Sequence, residues 1–587
     1  MRTANAGWRA RIAACVALIF GAIGALPRPV RCAPPPSPNE ADGEFRATVA
    51  RFIESEMRLF PERATAAGDH RFDARLSAYS ASAIRARIDH ARKWKVRFSR
   101  WPGALAAADE ADREWLVAQL DEELLWEEEL KVYRSDPGLY LPTAAVDSLI
   151  KRDFAPAAQR MESVAARERA ALINLRQGRR NLQAADTSRV TVDIVLEQMP
   201  ATIAFFRNDV PAAFARVPDG EAKRDFARAN AKLIDEIVAY REWLKGFRAK
   251  ARGGIRLGVH AFRRMLHDDD LVDTPIDRLD ALGRAELARL QDRFKRTAAL
   301  LDPHRTPQEV FTSLSRNHPK PSELIAAVSA GLAQLRAFVI DHHIATIASA
   351  QEPLVHETPP FARATTFASM DTPGPLEKKA LNAYFYVTLP DPSWPAQRVE
   401  QLLDFFSATA ISNTSVHEVY PGHFVQFLDN RNNPDPVRSL YYSGANVEGW
   451  AFYCEQMMLD EGLHGGAPQY RLAQLQMALQ RVCRYLVAIA MHTGSMTVAQ
   501  AAQFFRVNAY MTPNNAMMEA LRATQDPGFL RYQLGKFMIL KLREDLRRKQ
   551  GAAFDLQSFH DAFLAQGGLP IKLIRRAMLG ADNGSLL

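Results

Sequence analysis

The sequence predicts a large, mostly α-helical protein with one small β element. The 587-residue chain is 47% hydrophobic and 24% charged, a balance typical of a globular protein with a large core. Apolar residues recur at spacings of three and four along most of the chain, which is the periodicity of amphipathic helices. The clear strand pattern is Asn382–Leu389, where aromatic and β-branched residues alternate between turn-forming segments.

The N-terminal segment has the features of a secretory signal. A basic start precedes the apolar run Ile12–Leu26, which is short for a membrane span, and Pro-rich sequence follows it. We assign residues 1–32 to a signal peptide, with an uncleaved N-terminal anchor as the alternative. The sequence therefore predicts a periplasmic or secreted protein, and we expect no stable membrane span beyond this leader.

The overall charge does not indicate a nucleic-acid partner. Five arginines and no acidic residue precede Glu40, and removing these five charges from the net charge of +8 leaves only +3. Of the four cysteines, Cys454 and Cys483 lie in the body of the chain, both within helical patterns. We expect them to pack as small apolar residues, so neither a disulfide framework nor a cysteine metal site is predicted.

Helical periodicity dominates residues 45–587, after a Pro-rich linker over Ala33–Glu44. The clearest predicted helices carry an apolar stripe along one face. They cover Ala111–Tyr133, Pro156–Leu182, Glu221–Arg248, Pro275–Leu301, Ser322–Ile347 and Gln469–Ile489. We expect one helical domain, or two lobes over residues 45–355 and 356–587.

The predicted strand Asn382–Leu389 favours a small hairpin or short sheet near the candidate site described next. As the wall of a cleft, this strand would pair with an extended peptide by β-augmentation. Tyr384 and Tyr386 are then the residues expected to contact substrate. A purely structural hairpin is the alternative.

The stretch H-E-V-Y-P-G-H, from His417 to His423, carries the residue types of a zinc hydrolase at an unusual spacing. In the common motif H-E-x-x-H the histidines share one helix face, whereas here they lie six residues apart. Pro421 lacks an N–H, and its ring clashes with the carbonyl group of His417, so it disrupts the helix there. Gly422 permits backbone angles that other residues avoid. The spacing therefore predicts a broken helix that turns His423 back toward His417.

A catalytic zinc needs three protein ligands and an open position. The third candidate is Glu448, the first acid of the apolar stretch V-E-G-W-A-F-Y-C-E, where an unpaired carboxylate is unfavourable. Glu455 falls on the same helix face and is expected to orient a ligand histidine, with Gln426 as a second candidate for that task. Glu418 is the predicted general base, which takes a proton from the attacking water and passes it to the leaving amine. The alternative for each residue taken singly is a structural role.

These motifs resemble the signatures HExxPGH and EGWAxYxE of a bacterial family known only as a domain of unknown function. Further similar segments are Gly68–Leu76, Asp526–Lys536, Ile539–Asp545 and Phe559–Leu564. The family in turn resembles the all-helical gluzincin-type zinc metallopeptidases, including carboxypeptidases of the Taq type. The resemblance implies a multi-helix metallopeptidase-like fold with a deep cleft, in which His417, His423 and Glu448 bind metal and Glu418 is the base.

One segment departs from the family pattern. Where many relatives read D-T-G-x-H, this chain reads H-T-G-S-M over His492–Met496, so a family histidine is missing or replaced by His492. Tyr532 is the candidate donor to the oxyanion of peptide hydrolysis, and Arg531 is the candidate anchor for a substrate carboxylate. The alternative is a core tyrosine and a surface arginine.

Together the residues and the resemblance predict an exported zinc-dependent peptidase, with an exopeptidase, either carboxypeptidase or dipeptidase, favoured by the resemblance. The expected cofactor is one Zn²⁺ per chain, although manganese, cobalt or iron suit the same ligands. The expected partner is a peptide or small amide substrate. The sequence does not indicate whether the protein is a monomer or an oligomer. Two alternatives stay open: a metal-dependent esterase or amidase acting on a non-peptide substrate, and a non-catalytic, zinc-stabilised peptide-binding protein.

Overall fold

The computed structural model describes residues 40–359, 363, 366–391, 394–580 and 585–587. The predicted signal peptide 1–32 and residues 33–39 of the predicted linker lie outside these residues. The structure is 71% helical and has one small three-stranded sheet in its described part. The predicted mostly α-helical fold is therefore confirmed.

The helices follow one another along the chain, joined by short turns. Those before the sheet are α1 Glu40–Leu59, α2 Pro61–Ala67, α3 Ala81–Ser99, α4 Ala107–Leu124, α5 Thr143–Ile150, α6 Ala157–Asn181, α7 Arg189–Ala204, α8 Val210–Ala213, α9 Glu221–Arg248, α10 Val259–Asp270, α11 Ile276–Leu301, α12 Pro307–Ser315 and α13 Leu324–Asp341. Those after it are α14 Ala396–Leu403, α15 Ala408–Glu418, α16 His423–Asn432, α17 Pro436–Leu440, α18 Gly444–Asp460, α19 Pro468–His492, α20 Val498–Asn508, α21 Pro513–Ala523, α22 Arg531–Gln550, α23 Leu556–Leu564 and α24 Ile571–Leu579.

Most predicted helices have the expected ends, and two stop early. The helix predicted over Ala111–Tyr133 leaves the α-helical form after Leu124, and the one predicted to reach Ile347 ends at Asp341. A π-helical turn over Leu125–Glu129 follows Leu124. Lys131 (φ 49°) beyond that turn and His343 (φ 50°) beyond Asp341 adopt left-handed conformations. A left-handed residue directs the chain out of the helix, which apolar periodicity alone does not indicate.

The predicted linker is shorter than expected, because α1 begins at Glu40 rather than after Glu44. Asp42 and Glu44 lie in the first turns of α1, where negative charge interacts favourably with the helix dipole. Asp42 is buried and also accepts a hydrogen bond from the backbone N–H of Ala106 at 2.9 Å. The acidic run that we interpreted as linker is thus the start of a packed helix.

In the described part of the chain, buried apolar residues form two clusters. The larger contains residues from both ends of the chain, including Phe52, Leu290 and Trp450. The smaller is built mainly from α6, α7 and α9 and runs in sequence from Tyr140 to Ala251. The two predicted lobes, residues 45–355 and 356–587, stay a prediction. Cys454 and Cys483 are free and buried in the larger cluster, as predicted.

The sheet has the strand order β1-β3-β2, formed by β1 Leu354–Glu357, β2 Ala368–Asp371 and β3 Tyr384–Val387. β3 is the strand predicted within Asn382–Leu389, and it pairs parallel with β1 and antiparallel with β2. The prediction that an extended peptide pairs with this strand is wrong, because β1 and β2 occupy both of its edges. The outer edge of β2 borders the cavity described below.

One described helix, Pro321–Asp341, has the length and composition to cross a membrane, which by itself is weak evidence for a span. Within it, Leu324, Val328, Leu332, Leu335 and Val339 are buried in the larger apolar cluster. Their spacing of three or four residues is that of an amphipathic helix packed on a core. We interpret this helix as part of the fold.

Candidate metal centre

The predicted break in the motif helix is present. α15 ends at Glu418 and α16 begins at His423, with a cis peptide bond between Tyr420 and Pro421. A Cβ atom on Gly422 would lie 1.8 Å from the carbonyl oxygen of His417, so no larger residue fits there. Close approach between two chain segments is therefore one reason for a glycine at this position.

The break brings the two histidines together, and α18 adds the third candidate ligand. Glu448 Oε2 lies 3.7 Å from His417 Nε2 and 3.5 Å from His423 Nε2. One donor atom from each residue lies within 4.8 Å of the other two. Atoms bound tetrahedrally to zinc at about 2.0–2.2 Å lie about 3.3–3.6 Å apart, so these separations are close to those of a bound ion.

The chemistry of these donors also fits a metal ion. Glu448 Oε2 is buried and has no hydrogen-bond partner among the described residues. A buried carboxylate oxygen without a partner is unfavourable unless a cation neutralises it. Two imidazole nitrogens and one carboxylate are the donor set of many catalytic zinc sites. His417, His423 and Glu448 therefore fit a divalent metal of the zinc type.

A network of polar side chains holds His417 through Nδ1, the ring nitrogen that does not face Glu448. Glu455 Oε1 lies 2.8 Å from His417 Nδ1, which is the contact predicted for this residue. Arg481 pairs with the same carboxylate oxygen at 2.9 Å, and Asn413 Nδ2 donates to Glu455 Oε2 at 2.8 Å. Glu455 is 1% exposed, and its carboxylate is fully engaged by these three partners. The imidazole of His417 is thus fixed in orientation.

Gln426 does not take part in this network, contrary to the prediction. Its Nε2 donates to Asn446 Oδ1 at 3.1 Å, and Asn446 in turn donates to the carbonyl oxygens of Gly567 and Leu569. Gln426 lies three residues after His423, and its side chain faces α18 instead of the ligands. It links helices and contacts neither histidine.

Opposing charges shift the pKa values in the site. Burial alone would lower the pKa of His417, but Glu448 and Glu455 outweigh burial and raise that pKa to about 9. Burial would raise the pKa of Glu448, but attraction to His417 and His423 holds that pKa well below its ordinary range. Without a metal, a protonated imidazole therefore faces an ionised carboxylate, and a metal must displace the His417 proton to bind.

Glu418 lies beside the three candidate ligands without joining them. Its Oε2 accepts a hydrogen bond from the backbone N–H of Met370 at 2.9 Å. Met370 lies on β2, whose outer edge borders the cavity. This contact fixes one oxygen of a carboxylate that borders the same cavity as the three candidate ligands.

Tyr532 lies against the site from α22. Its ring centroid is 6.3 Å from that of His417, and the side chain borders the same cavity. The guanidinium carbons of Arg481 and Arg484 lie 5.6 and 5.2 Å from its ring centroid. Burial, together with the charge of Glu448, raises the pKa of Tyr532 to about 12, so the hydroxyl keeps its proton at neutral pH. It can therefore donate a hydrogen bond.

One cavity of about 820 Å³ is bordered by the three candidate ligands, Glu418 and Tyr532. Its walls also carry aromatic residues and the methionines Met370, Met477, Met511 and Met518. This is the cleft that the sequence predicted. A volume of several hundred cubic ångströms suits a short peptide or another molecule of similar size.

Three other predictions are not supported by the geometry. Arg531 is 3% exposed and pairs with Asp269 and Asp270. Tyr384 and Tyr386 stack on each other on β3 and do not border the cavity, because β2 is the strand that faces it. Their predicted role as substrate contacts is thus disfavoured by the sheet order.

His492 does not replace a substrate-binding histidine of the family. It is 1% exposed, and its Nε2 lies 2.9 Å from the carbonyl oxygen of Ala523. It borders a second cavity of about 770 Å³ rather than the one with the candidate ligands. Burial lowers its pKa to about 4, so it is neutral at physiological pH.

Several site residues had no place in the sequence-based prediction. Asn413 is one of them, although it lies four residues before His417 and therefore on the same helix face. Arg481 reaches the site from α19, and its role depends on tertiary packing. The backbone N–H of Met370 carries no sequence signal, since any residue except proline offers one.

Two solved structures have a similar fold. One, from Shewanella oneidensis, is described as a "putative lipoprotein of unknown function"; it has a TM-score of 0.77 at 24% identity, covering 91% of this chain and 99% of that chain. The other, from Colwellia psychrerythraea and described as a "putative lipoprotein", has a TM-score of 0.75 at 15% identity, covering 92% of this chain and 98% of that chain. No curated protein matches the chain. The family model for a bacterial protein of unknown function, DUF885, matches residues 61–578, and the chain therefore belongs to the DUF885 family.

Proposed function

We propose that this chain is a metal-dependent hydrolase of peptide bonds, with the metal held by His417, His423 and Glu448. The observation that carries the proposal is the convergence of one donor atom from each residue within 4.8 Å at the wall of a large cavity. A carboxylate that is not among these ligands, Glu418, lies beside them. A purely structural metal site has no need of such a group.

Zinc is the proposed metal, since it suits two nitrogen ligands and one oxygen, and manganese, cobalt and iron are alternatives. When bound, such an ion polarises a carbonyl oxygen and acidifies water. The chain supplies the remaining chemistry through its own side chains.

Glu418 is the proposed general base. The Met370 N–H engages Oε2, which leaves the other carboxylate oxygen to accept a proton from the attacking water. The same carboxylic acid then donates that proton to the leaving amine nitrogen. Tyr532 keeps its hydroxyl proton and donates a hydrogen bond to the oxygen that becomes negatively charged at the attacked carbonyl group.

The proposed task of Glu455, Arg481 and Asn413 is to orient a metal ligand. They hold the His417 imidazole so that its Nε2 points at the metal position, which removes conformational freedom that would weaken metal binding. Because Glu455 itself is held by two further side chains, its carboxylate does not rotate away from His417.

The proposal extends to the class of peptidase and to the compartment. DUF885 carries no assigned activity, so the resemblance to gluzincin-type metallopeptidases is what favours an exopeptidase. The predicted leader favours export to the periplasm or the medium. The two solved structures named above are each described as a "putative lipoprotein", which supports a location at the cell envelope.

The test is a comparison of the zinc-loaded chain with its Glu418→Gln variant on peptides with free and blocked termini. We expect kcat/KM to fall roughly 100-fold or more in the variant with zinc content unchanged, since general-base catalysis contributes about 10²–10⁴-fold. Glu162→Gln is the matched control, because Glu162 is exposed and lies far from Glu418 in the sequence. A requirement for a free terminus identifies an exopeptidase.

Small esters and non-peptide amides belong in the same assay. Cleavage of these substrates with no cleavage of peptides would replace the peptidase by an esterase or amidase with the same site. Tight peptide binding without any turnover would indicate a non-catalytic peptide-binding protein. Full activity of Glu418→Gln would rule out the proposed mechanism.

A further inference from the structure

We propose that Arg522 binds the free C-terminal carboxylate of a peptide substrate, so that the chain acts as a carboxypeptidase on peptides ending in an apolar residue. This inference rests on the proposed peptidase function and adds the substrate class to it. Nothing in the family description or in the similar structures assigns a role to this residue.

The first observation is which basic side chains at the cavity form ion pairs with protein carboxylates. Among the described lysines and arginines that border it, all except Arg522 have a carboxylate within ion-pair distance. The pairs are Lys151 and Arg152 with Asp371, Arg481 with Glu455, Arg484 with Glu519, and Arg531 with Asp269. Arg522 therefore offers a guanidinium that has no carboxylate of the described residues within ion-pair distance.

The second observation is the orientation of α21. Asn515, Met518, Glu519 and Arg522 all border the cavity, and their spacing of three, four and seven residues places them on one helix face. A neighbouring face of the helix, which includes Ala516 and Ala520, is buried in the core. The packing of α21 thus turns a stripe of polar and flexible side chains toward the cavity.

Glu519, which lies one helical turn before Arg522, is engaged by another arginine. Glu519 accepts two hydrogen bonds from the guanidinium of Arg484, at 2.6 and 2.7 Å, so that its two oxygens are already occupied. Arg484 and Arg522 lie against the same ring, Phe529, at 4.6 and 5.1 Å from its centroid. Phe529 therefore holds Arg522 in place without contributing a counter-charge.

The position of Arg522 relative to the proposed chemistry suits a terminal carboxylate. Arg484 lies over both Phe529 and Tyr532, and Tyr532 lies against His417. This series of contacts connects Arg522 to Tyr532 and to His417 along the wall of one cavity. A peptide whose scissile carbonyl group reaches Tyr532 would extend its C-terminal end toward Arg522.

The chemistry of the subsite favours a carboxylate with an apolar neighbour. A guanidinium binds a carboxylate through two parallel hydrogen bonds, and partial burial strengthens this pairing. Arg522 is half-buried. Met518 lies one helical turn before it, and Met511 borders the cavity nearby in sequence. Methionine side chains adapt to apolar groups of different shape, which suits a large apolar C-terminal residue.

The experiment uses dansyl-Ala-Ala-Phe as the free acid and as the C-terminal amide, with the zinc-loaded chain and its Arg522→Gln and Arg522→Lys variants. We expect the wild type to prefer the acid. Arg522→Gln should raise KM for the acid roughly 10- to 100-fold, the usual effect of losing hydrogen bonds to a charged group, with little change for the amide. Arg522→Lys should recover part of the loss, and zinc content should stay at the wild-type level.

Arg547→Gln is the matched control. Arg547 also lies over a phenylalanine ring, at 5.0 Å from the Phe554 centroid, but it is exposed and outside the cavity. Its variant should cleave both peptides like the wild type. Equal KM values for the acid in wild type and Arg522→Gln would overturn the proposal, as would equal cleavage of acid and amide by the wild type.

Direct binding separates this proposal from the proposed peptidase function. Fluorescence titration with the same two dansyl peptides measures affinity even if the zinc-loaded wild type cleaves neither of them. Weaker binding of the acid, but not of the amide, to Arg522→Gln would then support the carboxylate subsite while the peptidase function fails. Equal affinity of both peptides for wild type and variant would overturn the subsite.

Discussion

Glu455 Oε1 lies 2.8 Å from Nδ1 of His417, while Glu448 Oε2 lies 3.7 Å from Nε2 of the same imidazole. The two glutamates are seven residues apart on α18, so one helix face contacts both nitrogens of one ring. One carboxylate is placed to bind metal beside His417, and the other fixes the ring. α18 therefore supplies both a candidate ligand and the group that orients another candidate ligand.

The role of Glu455 predicts the effect of Glu455→Gln. We expect zinc affinity to fall roughly 10- to 100-fold, because loss of a group that orients a metal ligand has this effect in comparable sites. Competition with a zinc chelator measures it. Glu461→Gln, at the end of the same helix and paired with Arg543 at 3.3 Å, should bind zinc like the wild type. Equal affinity in all three proteins would contradict the orienting role.

The close approach at Gly422 predicts the effect of Gly422→Ala. Because the added Cβ would meet the His417 carbonyl oxygen at 1.8 Å, the two segments must separate, and we expect zinc binding to be lost. Metal analysis and thermal unfolding measure the outcome. Gly331→Ala is the control, since no atom lies within 4 Å of the Cβ position in helix α13 and alanine is the better helix former. Retention of zinc by Gly422→Ala would show that the tight turn is not needed.

Removal of the Tyr532 hydroxyl group should lower turnover without loss of the bound metal. In Tyr532→Phe we expect kcat to fall about 10²- to 10³-fold, the usual effect of removing one donor to an oxyanion. Tyr384→Phe removes a hydroxyl outside the cavity and should leave kcat unchanged. Steady-state kinetics of both variants, with zinc content determined in parallel, checks this expectation. Unchanged kcat in Tyr532→Phe would remove this residue from the mechanism.

We expect His70 to contribute to the free energy of unfolding in a pH-dependent way. Burial would lower its pKa, but Asp73 and Glu377, each 2.9 Å from a ring nitrogen, raise the pKa to about 9. A pKa that is raised in the folded state stabilises the fold fully below the ordinary value near 6.5, and this stabilisation is lost as pH rises through 9. Its size is at most about 3 kcal/mol.

The corresponding measurement is the unfolding free energy of wild type and His70→Gln at several pH values. The difference between them should be largest near pH 6 and should shrink as pH rises toward 10. His304→Gln replaces an exposed histidine and should show no such trend. A difference that does not change with pH would mean that His70 is not charged in the fold.

Residue types and spacing were sufficient to predict the helices and the core of the candidate site. The helix Glu221–Arg248 has the predicted ends, and His417, His423 and Glu448 converge as their spacing indicated. These predictions succeeded because they depend on local patterns. A proline and a glycine act on the chain within a few residues, and a carboxylate in an apolar stretch indicates a partner wherever that partner lies.

Features that depend on distant contacts were not predictable in this way. Arg531 and Arg522 are both arginines near the end of the chain, but Asp269 and Asp270 neutralise the first from a segment far away in sequence. Tyr384 and Tyr386 lie on a strand as predicted, yet the order of the sheet, which a single strand does not encode, places them away from the cavity. The role of such an arginine or strand tyrosine depends on which residues surround it in the folded protein.

The most direct test of the account is the metal content of the purified chain without its leader, measured by plasma mass spectrometry beside a His417→Ala/His423→Ala double variant. The account predicts close to one zinc ion per wild-type chain and none in the double variant, with the fold of both verified by circular dichroism. Absence of bound metal from the wild type after zinc has been supplied would contradict the metal centre, and the proposed hydrolase with it.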